Sequence, residues 1–121
     1  MFAGEVDLKT WYKPKIDKKT LKELSKRSDT KGLLDISIFI VALILSGYLC
    51  ILSWGTLWSI PALLLYGNIF YCKIISIQHE TNHETYFKTR ALNKFFYHVT
   101  SLLGGFEAVR WKWSHFHHHT Y

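Results

Sequence analysis

Between Ile36 and Cys72 the chain runs for 37 residues without a charged side chain, whereas residues 1–32 hold nine Lys/Arg and five Asp/Glu. At the rise of an α-helix, a single helix of that length would measure about 55 Å, against a bilayer hydrocarbon core of ~30 Å. Two spans of roughly 20 residues fit where one does not. The break falls in Trp54-Gly55-Thr56-Leu57-Trp58-Ser59-Ile60-Pro61, which combines a turn residue, a proline near a helix start and two tryptophans of the interfacial kind. The pattern predicts a transmembrane hairpin with helices over 33–53 and 59–77. A cleavable signal peptide does not fit, because the apolar run begins more than 30 residues in and no small-residue cleavage pattern follows.

Three parts follow: a basic arm over 1–32 with a short helical stretch near Lys18–Lys26, the hairpin over 33–77, and a segment over 78–121. The expected fold class is all-α, a membrane hairpin carrying a histidine-rich helical tail. A hydrophobic content of 49% with 17% aromatic excludes a disordered or low-complexity chain. The formal charge of +6 is carried by residues flanking the hairpin, with no stripe on a soluble domain, so nucleic acid is not an expected partner. Six Lys/Arg against three acids follow Cys72, and the connection between the spans carries none, which places both termini in the cytoplasm. Lys18, Lys19 and the basic residues through Lys31 hold that orientation and meet anionic lipid. Cys50 and Cys72 lie within the spans and read as small apolar fillers; no disulfide is implied.

All seven histidines lie in the last segment. In His79-Glu80-Thr81-Asn82-His83 a continuing helix puts both imidazoles on one face at i and i+4. In His115-Phe116-His117-His118-His119, positions 115, 118 and 119 share a face, while His117 falls roughly 200° round from His115 and points away. His117 and His98 read as ordinary polar positions, not ligands. Trp111-Lys112-Trp113-Ser114 before the second cluster and Thr120-Tyr121 after it do not belong to a purification tag.

Five histidines in two helix-compatible spacings point to metal. An all-imidazole set suits zinc, iron, copper or nickel. A lone catalytic zinc needs three protein ligands, so five are in surplus, and a two-metal centre accommodates them. His79-Glu80-x-x-His83 also fits the zinc metallohydrolase motif, with Glu80 activating water, but such an enzyme has no use for His-x-x-His-His about thirty residues downstream.

His79-Glu80-Thr81-Asn82-His83, then Tyr86-Phe87-Lys88-Thr89-Arg90-Ala91-Leu92-Asn93, then Arg110-Trp111-Lys112-Trp113-Ser114-His115-Phe116-His117-His118-His119-Thr120, together resemble the first half of a membrane fatty acid desaturase of bacterial type. The resemblance covers residues 33–121 and is strongest over the last 43. It implies O2-dependent insertion of a double bond into an acyl chain by a di-iron centre in the bacterial cytoplasmic membrane. The substrate it implies is an acyl lipid or acyl carrier, and the electron donor a ferredoxin or small cytochrome. Carried over by residue, His79, His83, His115, His118 and His119 are the implied iron ligands. Glu80 becomes an acceptor for an imidazole N–H instead of a base; Glu107 and Trp111 take structural roles at the membrane surface. The family has a third histidine box after a second hairpin, and this chain stops two residues after its second box. Two ions want about eight or more protein ligands together, so the expectation is an amino-terminal fragment that is inactive alone.

Hydrogen removal from an unactivated methylene needs an oxygen-activating metal, which agrees with that resemblance. A lipid substrate accounts for ligands at the membrane boundary. The apolar stretch Phe95–Phe106 is too short to span and suits the interface between the boxes. A related acyl hydroxylase, a carotenoid ketolase, a membrane-embedded zinc hydrolase and a non-enzymatic metal-binding module are the alternative readings.

Overall fold

The computed structural model describes residues 16–120, and side chains as far as His118. The first 15 residues of the basic arm, Tyr121 and the side chain of His119 therefore lie outside the described residues. Among these the fold is all-helical: α1 (Lys18–Leu24), α2 (Asp29–Ser53), α3 (Ser59–Asn82), α4 (Arg90–Leu103) and α5 (Ala108–Thr120).

Capping explains where the helices begin. The Asp17 carboxylate accepts from Thr20 N at 3.1 Å and starts α1. Ser28 Oγ accepts from Lys31 N, so α2 begins four residues before the apolar pattern does, with Asp29 set against the positive end of its dipole. Gly55, at φ +79°, makes the turn between α2 and α3. Pro61 sits in the first turn of α3, where no intrahelical N–H bond is lost.

α2 and α3 are both long and apolar enough to cross a membrane. Most of their apolar side chains face outward: Ile44, Leu45, Ile51 and Leu64 are each at least 60% exposed. In water that surface would be a large liability; in lipid it is the expected solvent-facing face. The buried core is instead concentrated far from the turn, where Ile36 and Phe39 of α2 pack with Ile74 and Ile77 of α3 and with Phe87 of the following loop.

α3 runs five residues past the end of the apolar pattern because α4 covers its last turns, burying Gln78, Thr81 and Asn82. It ends in a Schellman motif: Thr85 N donates to Glu80 O and Glu84 N to Thr81 O, with Glu84 in the left-handed region at φ +56°. A glutamate there is disfavoured by about 1–2 kcal/mol. Two arginines hold it: Arg27 donates to its carbonyl at 2.8 Å, and Arg90 pairs with its carboxylate at 3.1 Å.

The loop over 84–89 is tied down by several further contacts. Asp29 accepts from Thr89 N and Oγ1 at 2.9 and 2.7 Å. The Asp35 carboxylate takes Lys73 Nζ at 2.6 Å and the Tyr86 hydroxyl, joining both long helices to the loop. Burial, and then that carboxylate, push the Tyr86 phenol well above its ordinary pKa, so it remains a donor. Phe87 is fully buried, stacked on Phe96 and pressed against Gly32, where an added Cβ would come within 2.6 Å of its ring. The stretch read as interfacial lies largely in α4, which packs against α3.

Candidate metal centre

The site is built on the end of α3. His79 and His83 project from one face with ring centroids 4.8 Å apart, as i, i+4 positions do on a helix. His83 is itself the C-cap residue of α3 and keeps helical backbone angles, so the last turn preserves the pairing.

α5 supplies the third imidazole. α4 stops at Gly104 in a second Schellman motif, this time with a glycine, Gly105 at φ +74°, in the left-handed position. Glu107 then caps α5 by accepting from Val109 N at 3.1 Å and Arg110 N at 2.5 Å. Tyr97 of α4 donates to Ala108 O at 2.5 Å and fastens the start of α5. Burial raises the Tyr97 phenol above its usual pKa, which keeps that proton in place.

So directed, α5 brings His115 to ring-centroid distances of 4.8 Å from both His79 and His83. The Nε2 atoms of His115 and His83 are 2.9 Å apart, and one ring nitrogen from each of the three residues lies within 4.8 Å of the others. All three side chains are half-buried.

This donor set fits a metal ion. With metal–nitrogen bonds of ~2.1 Å, two imidazoles on adjacent positions of one ion stand about 3.0 Å apart, and two on opposite positions about 4.2 Å apart. The His83–His115 separation matches the first value, and the outer limit of 4.8 Å exceeds the second by only about half an ångström. Neutral imidazoles without thiolate or carboxylate suit iron, zinc, copper or nickel alike.

Of the five histidines read as ligands, the structure thus brings together His79, His83 and His115. His118 is exposed and does not belong to this group. The side chain of His119 lies outside the described residues. His98 and His117 are exposed and do not belong to the group.

Two neighbouring residues differ from their sequence-based readings. Glu80 Oε1 stands 4.0 Å from His79 Nδ1, too far for a hydrogen bond, and its other oxygen accepts from Thr85 Oγ1 at 2.6 Å. The carboxylate is drawn toward the helix end it helps close. Trp111 is no simple surface anchor. Its indole stacks on His115 at 4.6 Å and 11°, and Phe106 backs it at 6.1 Å. The signal for this was available in the spacing, since Trp111 is four residues before His115 on one helix.

The chain matches no protein-family model, no curated protein and no solved structure.

Proposed function

We propose that this chain is the histidine-box portion of a membrane fatty acid desaturase. In this reading the hairpin crosses the bacterial cytoplasmic membrane with both ends in the cytoplasm, and iron is held where α3 leaves the bilayer. The observation that carries the reading is the meeting of His79 and His83, at the end of a long apolar helix, with His115 from 32 residues further on. The all-imidazole donors, the outward-facing apolar side chains and the basic flanks support it. An apolar cavity of about 210 Å³ among α2, α3 and α4, lined by Phe39, Phe70, Ile74 and Phe96, is of a kind suited to acyl chains.

His79, His83 and His115 would hold one iron; His118 and His119, further along α5, are the proposed donors to a second. Bound iron supplies the oxygen-activating chemistry that removal of hydrogen from an unactivated methylene requires. The substrate is an acyl lipid or acyl carrier, with O2 and a ferredoxin or small cytochrome as co-reactants. Trp111 fixes the plane of the His115 ring, and Tyr97 fixes the start of the helix that carries it.

Glu80 favours this reading over a zinc hydrolase. A general base must reach the metal-bound water, whereas the Glu80 carboxylate is exposed and bonded to Thr85.

Two experiments test the proposal. Single cysteines introduced at Thr20, Lys88 and Thr56, in a background without Cys50 and Cys72, should react with an impermeant thiol reagent from the cytoplasmic side for the first two and from the opposite side for the third. Labelling of Thr20 and Lys88 positions from opposite sides sinks the hairpin topology. For the chemistry, the chain joined to a desaturase half carrying the third histidine box should contain two irons and raise the unsaturated fraction of the host's acyl lipids in an O2-dependent way. One zinc per chain, unchanged lipids and peptide hydrolysis that depends on Glu80 would overturn the assignment.

A further inference from the structure

A buried polar seam runs between α3 and α4 beside the three imidazoles. Gln78, Thr81, Asn82, Thr100 and Ser101 are all at most 4% exposed. The two threonines are satisfied within their own helices: Thr81 Oγ1 donates to Ile77 O and Thr100 Oγ1 to Phe96 O, each at 2.6 Å. Gln78 Nε2 reaches Ser101 Oγ at 3.5 Å, the limit of a hydrogen bond. Gln78 Oε1 and both polar atoms of the Asn82 carboxamide find no partner among the described residues, and these are the unpaired buried side-chain atoms found there.

All three atoms belong to the turn of α3 that carries His79 and His83. At about 100° per residue, Gln78, Asn82, His79 and His83 occupy consecutive positions round the helix, so the residues that carry the unpaired atoms adjoin the imidazole face. A buried carboxamide without partners costs free energy that a leucine of similar size would not. A metal-bound imidazole, for its part, places its second ring N–H on an acceptor, and that acceptor sets the orientation of the ring. Glu80 does not serve, being 4.0 Å from His79 Nδ1 and bonded to Thr85. A neutral carboxamide can accept in a buried position without bringing an uncompensated charge.

We infer that the Asn82 and Gln78 carboxamides are the positioning groups of the metal centre, turning to accept hydrogen bonds from the second ring nitrogens of His79 and His83 when an ion fixes those rings. This rests on the reading of the three imidazoles as a metal site. Asn82 and Gln78 act through the imidazoles and need not touch the ion.

The test separates a metal-supporting role from a packing role by their opposite signs. The full chain, in detergent micelles, is titrated with Co2+ while its visible absorption is followed, and the melting temperature of the metal-free protein is measured alongside. Asn82→Leu should lower Co2+ affinity about 10–100-fold while leaving the metal-free melting temperature unchanged or higher, since an unpaired buried amide is removed. Gln78→Met should act in the same direction and decides the matter if Asn82→Leu does not fold. Wild-type affinity in the folded variants overturns the inference but leaves the metal centre standing. Absence of Co2+ binding by the wild-type chain overturns the metal centre and this inference together.

Discussion

His115→Ala should lower the affinity of the chain for Co2+ or Fe2+ by more than ~100-fold, beyond the ~10–100-fold that loss of a supporting hydrogen bond costs. His115 is the one imidazole of the three that comes from outside α3, and it closes to 2.9 Å on His83. Without it two donors remain on a single helix face, and the ion is exposed to solvent on the side that α5 had covered. His117→Ala, two residues on and exposed, should leave affinity within about twofold, a change smaller than any the supporting shell produces. Calorimetric titration of both variants, with circular dichroism to confirm retained helix, is the measurement. Equal losses at the two positions would show that binding follows the histidine content of α5 and not this geometry.

Asn93→Leu should destabilise the folded chain by about 3 kcal/mol, from two buried backbone groups left unpaired at ~1–3 kcal/mol each. Asn93 is fully buried; its Oδ1 accepts from Phe87 N at 3.1 Å, and its Nδ2 donates to Phe87 O at 2.9 Å. A leucine fills the space but releases both groups of Phe87, the residue on which the loop, α2 and α4 converge. Lys94→Ala, at the exposed neighbour, should change stability by no more than about 0.5 kcal/mol. Urea unfolding in micelles measures both. A loss below about 1 kcal/mol for Asn93→Leu would mean that the loop is held chiefly by its ion pairs.

Sequence alone determined the features whose causes are local. The hairpin could be read because the uncharged length between Asp35 and Lys73 and the turn at Gly55 act within a few residues of themselves. The pairing of His79 with His83 could be read for the same reason, since i, i+4 adjacency is a property of any helix. The ends of the two long helices could not: Ser28 extends α2 backward and the cover of α4 extends α3 forward, and hydropathy registers neither. Nothing in Glu84 announces a left-handed residue, because Arg27 and Arg90 hold it from 57 and 6 residues away. The choice of His115 as the partner of the α3 pair was decided by the tertiary structure. Helical spacing groups His115, His118 and His119 equally, but among the described side chains the direction of α5, set by Gly105, the Glu107 cap and Tyr97, brings His115 and not His118 to the α3 pair. The unpaired state of Gln78 Oε1 and of the Asn82 carboxamide is tertiary for the same physical reason: a carboxamide loses its water only when another element, here α4, is laid over it.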